Sequence, residues 1–556
     1  MSGPGGEQVW VGTEASAVPA ALRAMAGRYT VSMGRPAVTR RIWLDTADWR
    51  LYRKGMSLLA TGIGHDAGTG AGGDGENGGT GADGQLLELT TADGGTVCTG
   101  PDLLGWPRRS AALPDEIRAV LEPVLGVRAL IPVVSISGSI ASGRLLDAEQ
   151  KTVLRVVHER PATLEGSALG SAPVRGGATP LPGRLRMIPV RGYSADVTRA
   201  ARIAQRAGLA PTDRSGYRPA LRTLGIDPDA GPPPAMRADL PAGVAVARVL
   251  LSFLDELEAT YEGTVADVDI EFLHEFRVAV RRSRSVLKLL GDVLPPALVA
   301  WAGPQLKWLG DLTTPMRDLD VHLEEVPALT RRLTSGSPED LEPLTRYLLK
   351  LRRSELRALV RGLRSVRFER FRNRWRAELE ALAEPSTSEP ASSEPASFGT
   401  ASSGAGPTAQ ELGDERLARA DRRVLRPGSR ITPASPAEDL HDLRKRCKEL
   451  RYLLEVFTPL LDPADARAAV KELKLLQDVL GTFQDSEVQR EAIYTMAADL
   501  LAAGGTSART LLAMGEIAAR MYEDQLSSRA RFAAAFDQFA QPAVHRRLTR
   551  APQPAP

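Results

Sequence analysis

The sequence predicts a multidomain protein: an α+β region over residues 1–225, a linker at 226–241, and an all-α region built twice. Three observations carry this reading. Residues 1–225 hold short β-rich runs separated by Gly and Pro clusters. From Ala242 onward, apolar residues recur with helical period. Within that second region a block recurs: HEFRVAVRRSRSVLKLL from His274 returns as HDLRKRCKELRYLLEVF from His441. LKWLGDLTTPMRDLDV from Leu306 likewise returns as LKLLQDVLGTFQDSEV from Leu473. Both shifts, 441 − 274 and 473 − 306, equal 167 residues. Two blocks with one offset indicate duplicated helical units.

At 556 residues the chain exceeds what one core supports, so two or three domains are expected. The 71 basic and 68 acidic residues leave a net charge of only +3. Any strongly basic surface therefore has to be local. Cys98 and Cys447 stand in unrelated contexts, which fits a reduced cytoplasmic protein. MSGPGGEQVW lacks the basic head and apolar core of a signal sequence. Charges such as Arg248 and Arg509 interrupt the most apolar helical stretches, so no membrane partner is expected.

In the first region, strands are expected at 8–12, 39–44, 86–91, 133–137, 152–158 and 185–190, and helices at 17–26, 114–121 and 198–207. The Gly-rich stretch 64–84 reads as a loop inserted between two strands, without chemistry of its own. WLDTADWRLYRKG from Trp43, the LLELT strand and GLAPTDRSGYRPAL from Gly208 resemble the CYTH family. That resemblance implies an antiparallel β tunnel and, in active members, metal-dependent triphosphate cleavage. The departures argue against that activity. Where the family alternates glutamates on its first strand, this chain has Glu7, Val9 and Val11. RLRMIPVRG from Arg184 has no carboxylate, and Gly216 stands at the expected lysine. Mg²⁺ and Mn²⁺ require hard oxygen ligands, which valine lacks. No catalytic residue, metal site or cofactor is therefore assigned. Arg40, Arg41, Arg53, Lys54, Arg155, Arg184 and Arg186 either line the tunnel or lie scattered over the surface.

In the second region, helices are expected at 244–261, 269–290, 296–309 and 317–333, followed by a long helical stretch at 338–383. Residues 384–410 are low-complexity and separate the first repeat, 242–383, from the second, 411–540. Helices are expected there at 411–424, 436–457, 463–480, 485–501 and 508–536, before a tail at 541–556.

At about 100° per residue, His274, Arg277, Arg281 and Arg284 share one helix face within roughly 80°, opposite an apolar stripe. His441, Arg444, Lys448 and Arg451 repeat those offsets. The motif HxxRVAxRRxR, which adds Arg282, and its partner HxxRxxxKxxRY, which ends at Tyr452, together with the two following blocks, resemble the CHAD family over about residues 242–540. The resemblance implies two four-helix bundles about a pseudo-twofold axis, and binding of inorganic polyphosphate in a basic groove.

The residue chemistry suits such a ligand. Guanidinium groups engage phosphate oxygens bidentately, whereas lysine supplies a compact charge. Four residues at i, i+3, i+7 and i+10 span about 15 Å of helix axis. Lys288 extends the first stripe, and Lys307, Arg317 and Lys474 are further candidates. Asp318 and Asp320 are expected to orient neighbouring arginines through ion pairs. His274 and His441 either donate to phosphate or bond a carbonyl within the bundle; the sequence leaves both open. A further row, Lys350, Arg353, Arg357, Arg361 and Arg364, reads as a solvated face because Glu355 and Glu369 interleave.

The expected function is non-catalytic polyphosphate binding in the cytoplasm, with targeting to polyphosphate granules as its consequence. The alternatives are a metal-dependent triphosphatase or polyphosphatase in the tunnel, and nucleic-acid binding. An aromatic content of 5%, with no aromatic residue interleaving the stripe at stacking intervals, disfavours single-strand readout. Chelation of a divalent metal by the histidines is disfavoured by their cationic neighbours and by the absence of HxxxH spacing. No oligomeric state is assigned.

Overall fold

The structure is a computed structural model that describes residues 7–12, 14, 16–64, 85–92, 95–99, 105–160, 162–166, 179–212, 216–230, 236–384, 406–504, 506–542 and 545. The 64–84 insertion beyond Gly64, the centre of the 226–241 linker, most of 384–410 and most of the tail lie outside these residues. The chain forms two units. One comprises Met1–Gly231 with Glu262–Glu271, the other Pro232–Tyr261 with Phe272–Pro556.

Among its described residues the first unit contains twelve strands: β1 Gln8–Gly12, β2 Thr30–Met33, β3 Ala37–Asp45, β4 Ser57–Gly64, β5 Gln85–Thr90, β6 Thr96–Cys98, β7 Ile131–Leu146, β8 Thr152–Glu159, β9 Ala162–Gly166, β10 Thr179–Leu181, β11 Arg184–Pro189 and β12 Leu209–Pro211. They form one antiparallel sheet in the order β12-β1-β11-β8-β7-β3-β4-β5-β6; β2 and β9 also pair with β7, and β10 pairs with β9. Its helices are α1 Ala17–Ala26, α2 Arg50–Arg53, α3 Asp115–Leu125, α4 Ser194–Arg206 and α5 Tyr217–Thr223.

Strand side chains alternate between faces, and the alternation sorts this sheet cleanly. On β3, Ile42 and Leu44 join a core with Ile117, Leu121 and Leu125 of α3, whereas Thr39, Arg41 and Trp43 face a cavity. On β11, Leu185 and Met187 pack under α1 and α4 while Arg186 faces the same cavity. Residues of β1 and of β5 line that one space, so the sheet is strongly curled. The antiparallel architecture is as expected, but β7 is far longer than the run at 133–137, and β2, β4, β6, β9, β10 and β12 fall outside the expected set. Most of these are short or Gly-containing, and tertiary pairing supplies what their local pattern lacks.

The second unit is all-α: α6 Ala242–Val265, α7 Ile270–Leu290, α8 Pro296–Thr330, α9 Glu342–Leu363, α10 Val366–Ala383, α11 Ala409–Gly428, α12 Ala437–Phe457, α13 Pro463–Ala502 and α14 Ala508–Phe539. The α6, α7 and α8 starts differ from the α11, α12 and α13 starts by 409 − 242, 437 − 270 and 463 − 296, again 167. The duplication is thus three-dimensional.

Two expected breaks do not occur. The helices expected at 296–309 and 317–333 are one helix, α8, running through Pro315. Pro315 removes the donor to the Asp311 carbonyl, but Leu309, Thr313 and Met316 on either side are buried and hold the helix through that turn. α13 likewise runs through Gly481, because buried Leu480 and Phe483 outweigh the intrinsic cost of glycine, about 1 kcal/mol. Conversely, 338–383 divides into α9 and α10 at Ser365, whose side chain caps α10 by accepting from Phe368 N and donates to Gly362 O at 2.6 Å.

The halves also share a core. Leu341, Leu344 and Leu348 of the first pack with Ile493, Met496, Leu500, Met514 and Ile517 of the second. Among the described residues no helix is long and apolar enough to cross a membrane.

Candidate functional site

The site is organised by α7 and α12. Two ion pairs join them: Arg282 Nε to Glu455 Oε2 at 3.6 Å and Lys288 Nζ to Glu449 Oε1 at 2.7 Å. Subtracting 167 from 455 and 449 returns 288 and 282, so the two bridges exchange the same two positions. Reciprocal contacts of this kind are what a twofold axis produces. Arg281 and Lys448 are equivalent to each other, since 448 − 281 is also 167. They repel: desolvation among the surrounding side chains, and then the charges of Arg444 and Arg281, hold the Lys448 amine below the usual lysine range. The two stripes therefore converge.

The duplication has diverged in sign where this convergence requires it. In the first half Glu256 pairs with Arg282 at 3.5 Å; at the equivalent positions of the second half Arg423 pairs with Glu449 at 3.4 Å. Identical halves would set basic residues at 282 and 288 against two more basic residues. Inversion at 449 and 455 makes both contacts attractive.

Arg277 is half-buried, and its Nη1 donates to Thr314 Oγ1 at 2.8 Å and Thr313 Oγ1 at 3.2 Å. Burial lowers its pKa; Asp318 opposes this, while Arg281, Arg317 and Arg284 reinforce it. Four arginines of α7 and α8 thus crowd one place, and Arg317 Nη1 is buried without a hydrogen-bond partner among the described residues. Asp318 is raised by burial in spite of Arg277, His322 and Arg317. Its equivalent in the second half, Asp485, pairs with Arg444 at 2.8 Å. These two carboxylates accompany the stripe arginines. Asp320 instead lies buried against Arg352 of α9 at 2.7 Å and fastens two helices. His441 Nδ1 donates to Gln484 Oε1 at 2.5 Å. His274 is half-buried on the same helix face as Arg277.

Arg281, Arg284, Lys288 and Lys307, with Ser285, Leu287, Val299 and Gly303, line a cleft of about 520 Å³. The Arg284 guanidinium lies over Gly310, where a Cβ would meet its Nη1 at 2.6 Å. Lys307 is held by Asp311 at 2.6 Å. Arg281, Arg284 and Lys448 are exposed, and among the described residues none has a carboxylate oxygen within 4.0 Å.

Other expected site residues are placed differently. Arg282 does not line the cleft: it reaches Glu256 and Glu455 and lies over the Phe253 ring at 5.8 Å, so it fastens helices together. Its position, about 100° around the helix from Arg281, already separates it from the stripe. Arg451 pairs with Glu455 at 2.9 Å and donates to Gln477 at 3.4 Å. Tyr452 is half-buried and Lys474 exposed, neither of them in the described cleft. Sequence reasoning misses Glu449, Glu455 and Asp485 as determinants, although reading each basic position against its partner 167 residues away would have exposed the sign changes.

In the first unit, a cavity of about 1200 Å³ is lined by Glu7, Arg41, Glu88, Glu159, Arg186 and Arg218 among others. Arg40, Arg53, Lys54 and Arg155 do not line it. Glu88 and Glu159 are carboxylates that a reading confined to β1 and β11 does not place there. Glu159 is held between Arg41 at 3.1 Å and Arg184 at 3.4 Å, and Glu7 by Arg186 at 2.7 Å. Gly216 has φ +74°, and the Arg184 guanidinium fills the space a side chain there would take. Glu7 and Glu159, already held by guanidinium groups, leave Glu88 as the cavity carboxylate without an arginine within 4.0 Å among the described residues, which is too few oxygen donors for a divalent-metal site.

Residues 248–494 match the family model described as the CHAD domain. This part of the chain is a CHAD domain. The chain is also 26% identical over 232 residues to the uncharacterised protein Rv2226 of Mycobacterium tuberculosis; the match spans 40% of this chain and 40% of that protein's length. Among solved structures, the CHAD domain from the plant Ricinus communis aligns with a TM-score of 0.44 at 24% identity, covering 57% of this chain and 96% of that one. PptA from Streptomyces chartreusis aligns with a TM-score of 0.40 at 17% identity, covering 53% and 99%. Within the CHAD domain, α7 and α12 carry the paired basic motifs.

Proposed function

We propose that the CHAD domain binds inorganic polyphosphate, without transforming it, along the groove where α7 and α12 face each other. The observation that supports this most is the meeting of Arg281 and Lys448 at the pseudo-twofold axis, flanked by Arg277, Arg284 and Arg444, with too few carboxylates to neutralise them. Mutual repulsion raises the free energy of the empty groove, and a linear polyanion relieves it. The arginines grip phosphate oxygens through charge-assisted hydrogen bonds, while Lys448 and the cleft lysines add compact charges. Direct titration tests this: affinity for polyphosphate should fall steeply with salt, as counterion release requires. At matched phosphate concentration polyphosphate should displace RNA and duplex DNA; the reverse order would transfer the groove to nucleic acid.

Lys448 sets a pH dependence. Its pKa is depressed in the free protein by desolvation and by Arg444 and Arg281. A bound polyanion favours the protonated amine and raises that pKa, so affinity should decline as pH climbs through the range where free Lys448 titrates, below that of ordinary lysines. Lys448→Arg should flatten the profile while preserving binding, because guanidinium stays charged there. A wild-type profile already flat across that range would count against the placement of Lys448 in the groove.

For the first unit we propose a CYTH-like tunnel that no longer hydrolyses triphosphates, with Glu7 and Glu159 committed to arginines and only Glu88 left to bind a metal. Tripolyphosphate or ATP with Mg²⁺ or Mn²⁺ should release no phosphate above background. Metal-dependent turnover would reinstate a catalytic tunnel. Cytoplasmic residence at polyphosphate granules follows from the groove reading and should be lost in groove variants that remain folded.

A further inference from the structure

The second basic row, on α9, is an exposed face that Glu355 and Glu369 do not share. At about 100° per residue, Arg346, Lys350, Arg353, Arg357, Arg361 and Arg364 fall within about 80° of one another. Glu355 lies about 160° from the centre of that row, and Glu369 belongs to a different helix, α10. Glu342, one turn before Arg346, is the acid on the same face of α9. All six cations are exposed, and among the described residues none has a carboxylate oxygen within 4.0 Å. From Lys350 to Arg364 the row covers about 21 Å of helix axis.

Such a row costs stability, since like charges three and four residues apart repel on a helix. Several arginines elsewhere in this half are compensated: Arg352 by Asp320, Arg372 by Glu258, and Arg376 by Asp255, Glu258 and Glu380. On α14 of the second half, Arg520 pairs with Glu523 at 3.1 Å, and Asp524 pairs with Arg332 at 2.8 Å. Arg352, on the opposite side of α9, binds Asp320 of α8, so the row faces away from α8, whereas Arg277 of the groove bonds α8 at Thr313 and Thr314. Row and groove are separate surfaces.

We propose that the α9 row is a second binding site for a linear phosphate polyanion, which makes the CHAD domain bivalent and able to bring two polyphosphate chains together. The assignment of polyphosphate as the ligand rests on the groove reading; the site itself does not. The one aromatic residue between Arg346 and Arg364, Tyr347, lies outside the row's arc and donates to Asp499 at 2.8 Å, so the row offers charge at regular intervals without a stacking platform, which suits a chain of phosphates without bases.

The test compares the full wild-type chain, a row variant (Arg353→Gln, Arg357→Gln, Arg361→Gln) and the groove variant (Arg281→Glu, Lys448→Glu), using long-chain polyphosphate as probe. Stoichiometry is read by sedimentation velocity and cross-linking by light scattering. Wild type should join two chains. The row variant should bind one chain without cross-linking, with a slope of log affinity against log salt shallower by about 2, at about 0.7 per lost contact. Its melting temperature should hold or rise, because glutamine keeps helix propensity while repulsion is removed. The groove variant should retain weak, salt-sensitive binding through the row. Unchanged cross-linking and salt slope in the row variant would overturn the inference and leave the groove reading standing. Full binding by the groove variant, with loss only in the row variant, would overturn the groove reading and leave the row. A row that prefers duplex DNA to polyphosphate at equal phosphate concentration, or a row variant that melts lower, would overturn the assignment.

Discussion

Arg281→Glu together with Lys448→Glu should abolish binding of short polyphosphate while the bundle stays folded. The two positions are equivalent across the pseudo-twofold axis, both are exposed, and neither has a carboxylate within ion-pairing distance among the described residues. Each charge-assisted contact to phosphate is worth about 1.5–3 kcal/mol, so losing two predicts a drop of roughly 10² to 10⁴ in affinity before the repulsion of two new carboxylates is added. Folding should not suffer, because the new carboxylates stand among Arg277, Arg284 and Arg444 and relieve their crowding. Arg282→Ala is the informative control: it removes an equal charge from the same helix but loosens a fastening contact, so it should affect melting more than binding. A folded double variant with undiminished affinity in calorimetric titration would remove the stripes from the mechanism.

Asp269→Ala should be the most destabilising single substitution considered, costing about 3–5 kcal/mol, because it removes the buried carboxylate paired with a buried guanidinium. Within the first unit Arg128 and Asp269 have side chains only 1% exposed, and Arg128 Nη1 meets Asp269 Oδ1 at 3.4 Å. Asp269 also accepts from Ala129 N and Glu271 N, both at 2.9 Å, so its loss leaves two backbone donors in search of partners. Asp48, at 3.6 Å from Arg128 Nε, is a weaker second partner and would not replace it. Chemical denaturation of the full chain should show an early first transition in the variant. A midpoint like that of wild type would mean that Arg128 is satisfied without Asp269.

The helical half of the molecule is far more legible in sequence than the sheet. A helix writes its buried and exposed faces into a local period, and the offset of 167 residues repeats that signal. Strands such as β9 and β12 are too short to show alternation, and their place in the sheet comes from distant partners. Helix boundaries mislead for a related reason: Pro315 and Gly481 read as breaks locally, but buried neighbours such as Leu309 and Met316, and Leu480 and Phe483, carry the helices through. The α9 row reads as mixed because linear spacing does not show that Glu355 lies on the far side of the helix and Glu369 on the next one.

The order of amino acids is enough to place cations along two helix faces, since helical geometry alone sets which side chains share a face. It is also enough to identify the two helices as copies of one unit. The convergence of those faces, the opposition of Arg281 and Lys448, and the service of Arg282 to packing instead of the cleft emerge only in the folded chain. They depend on contacts between residues about 167 positions apart, and no local pattern encodes the path by which the chain returns.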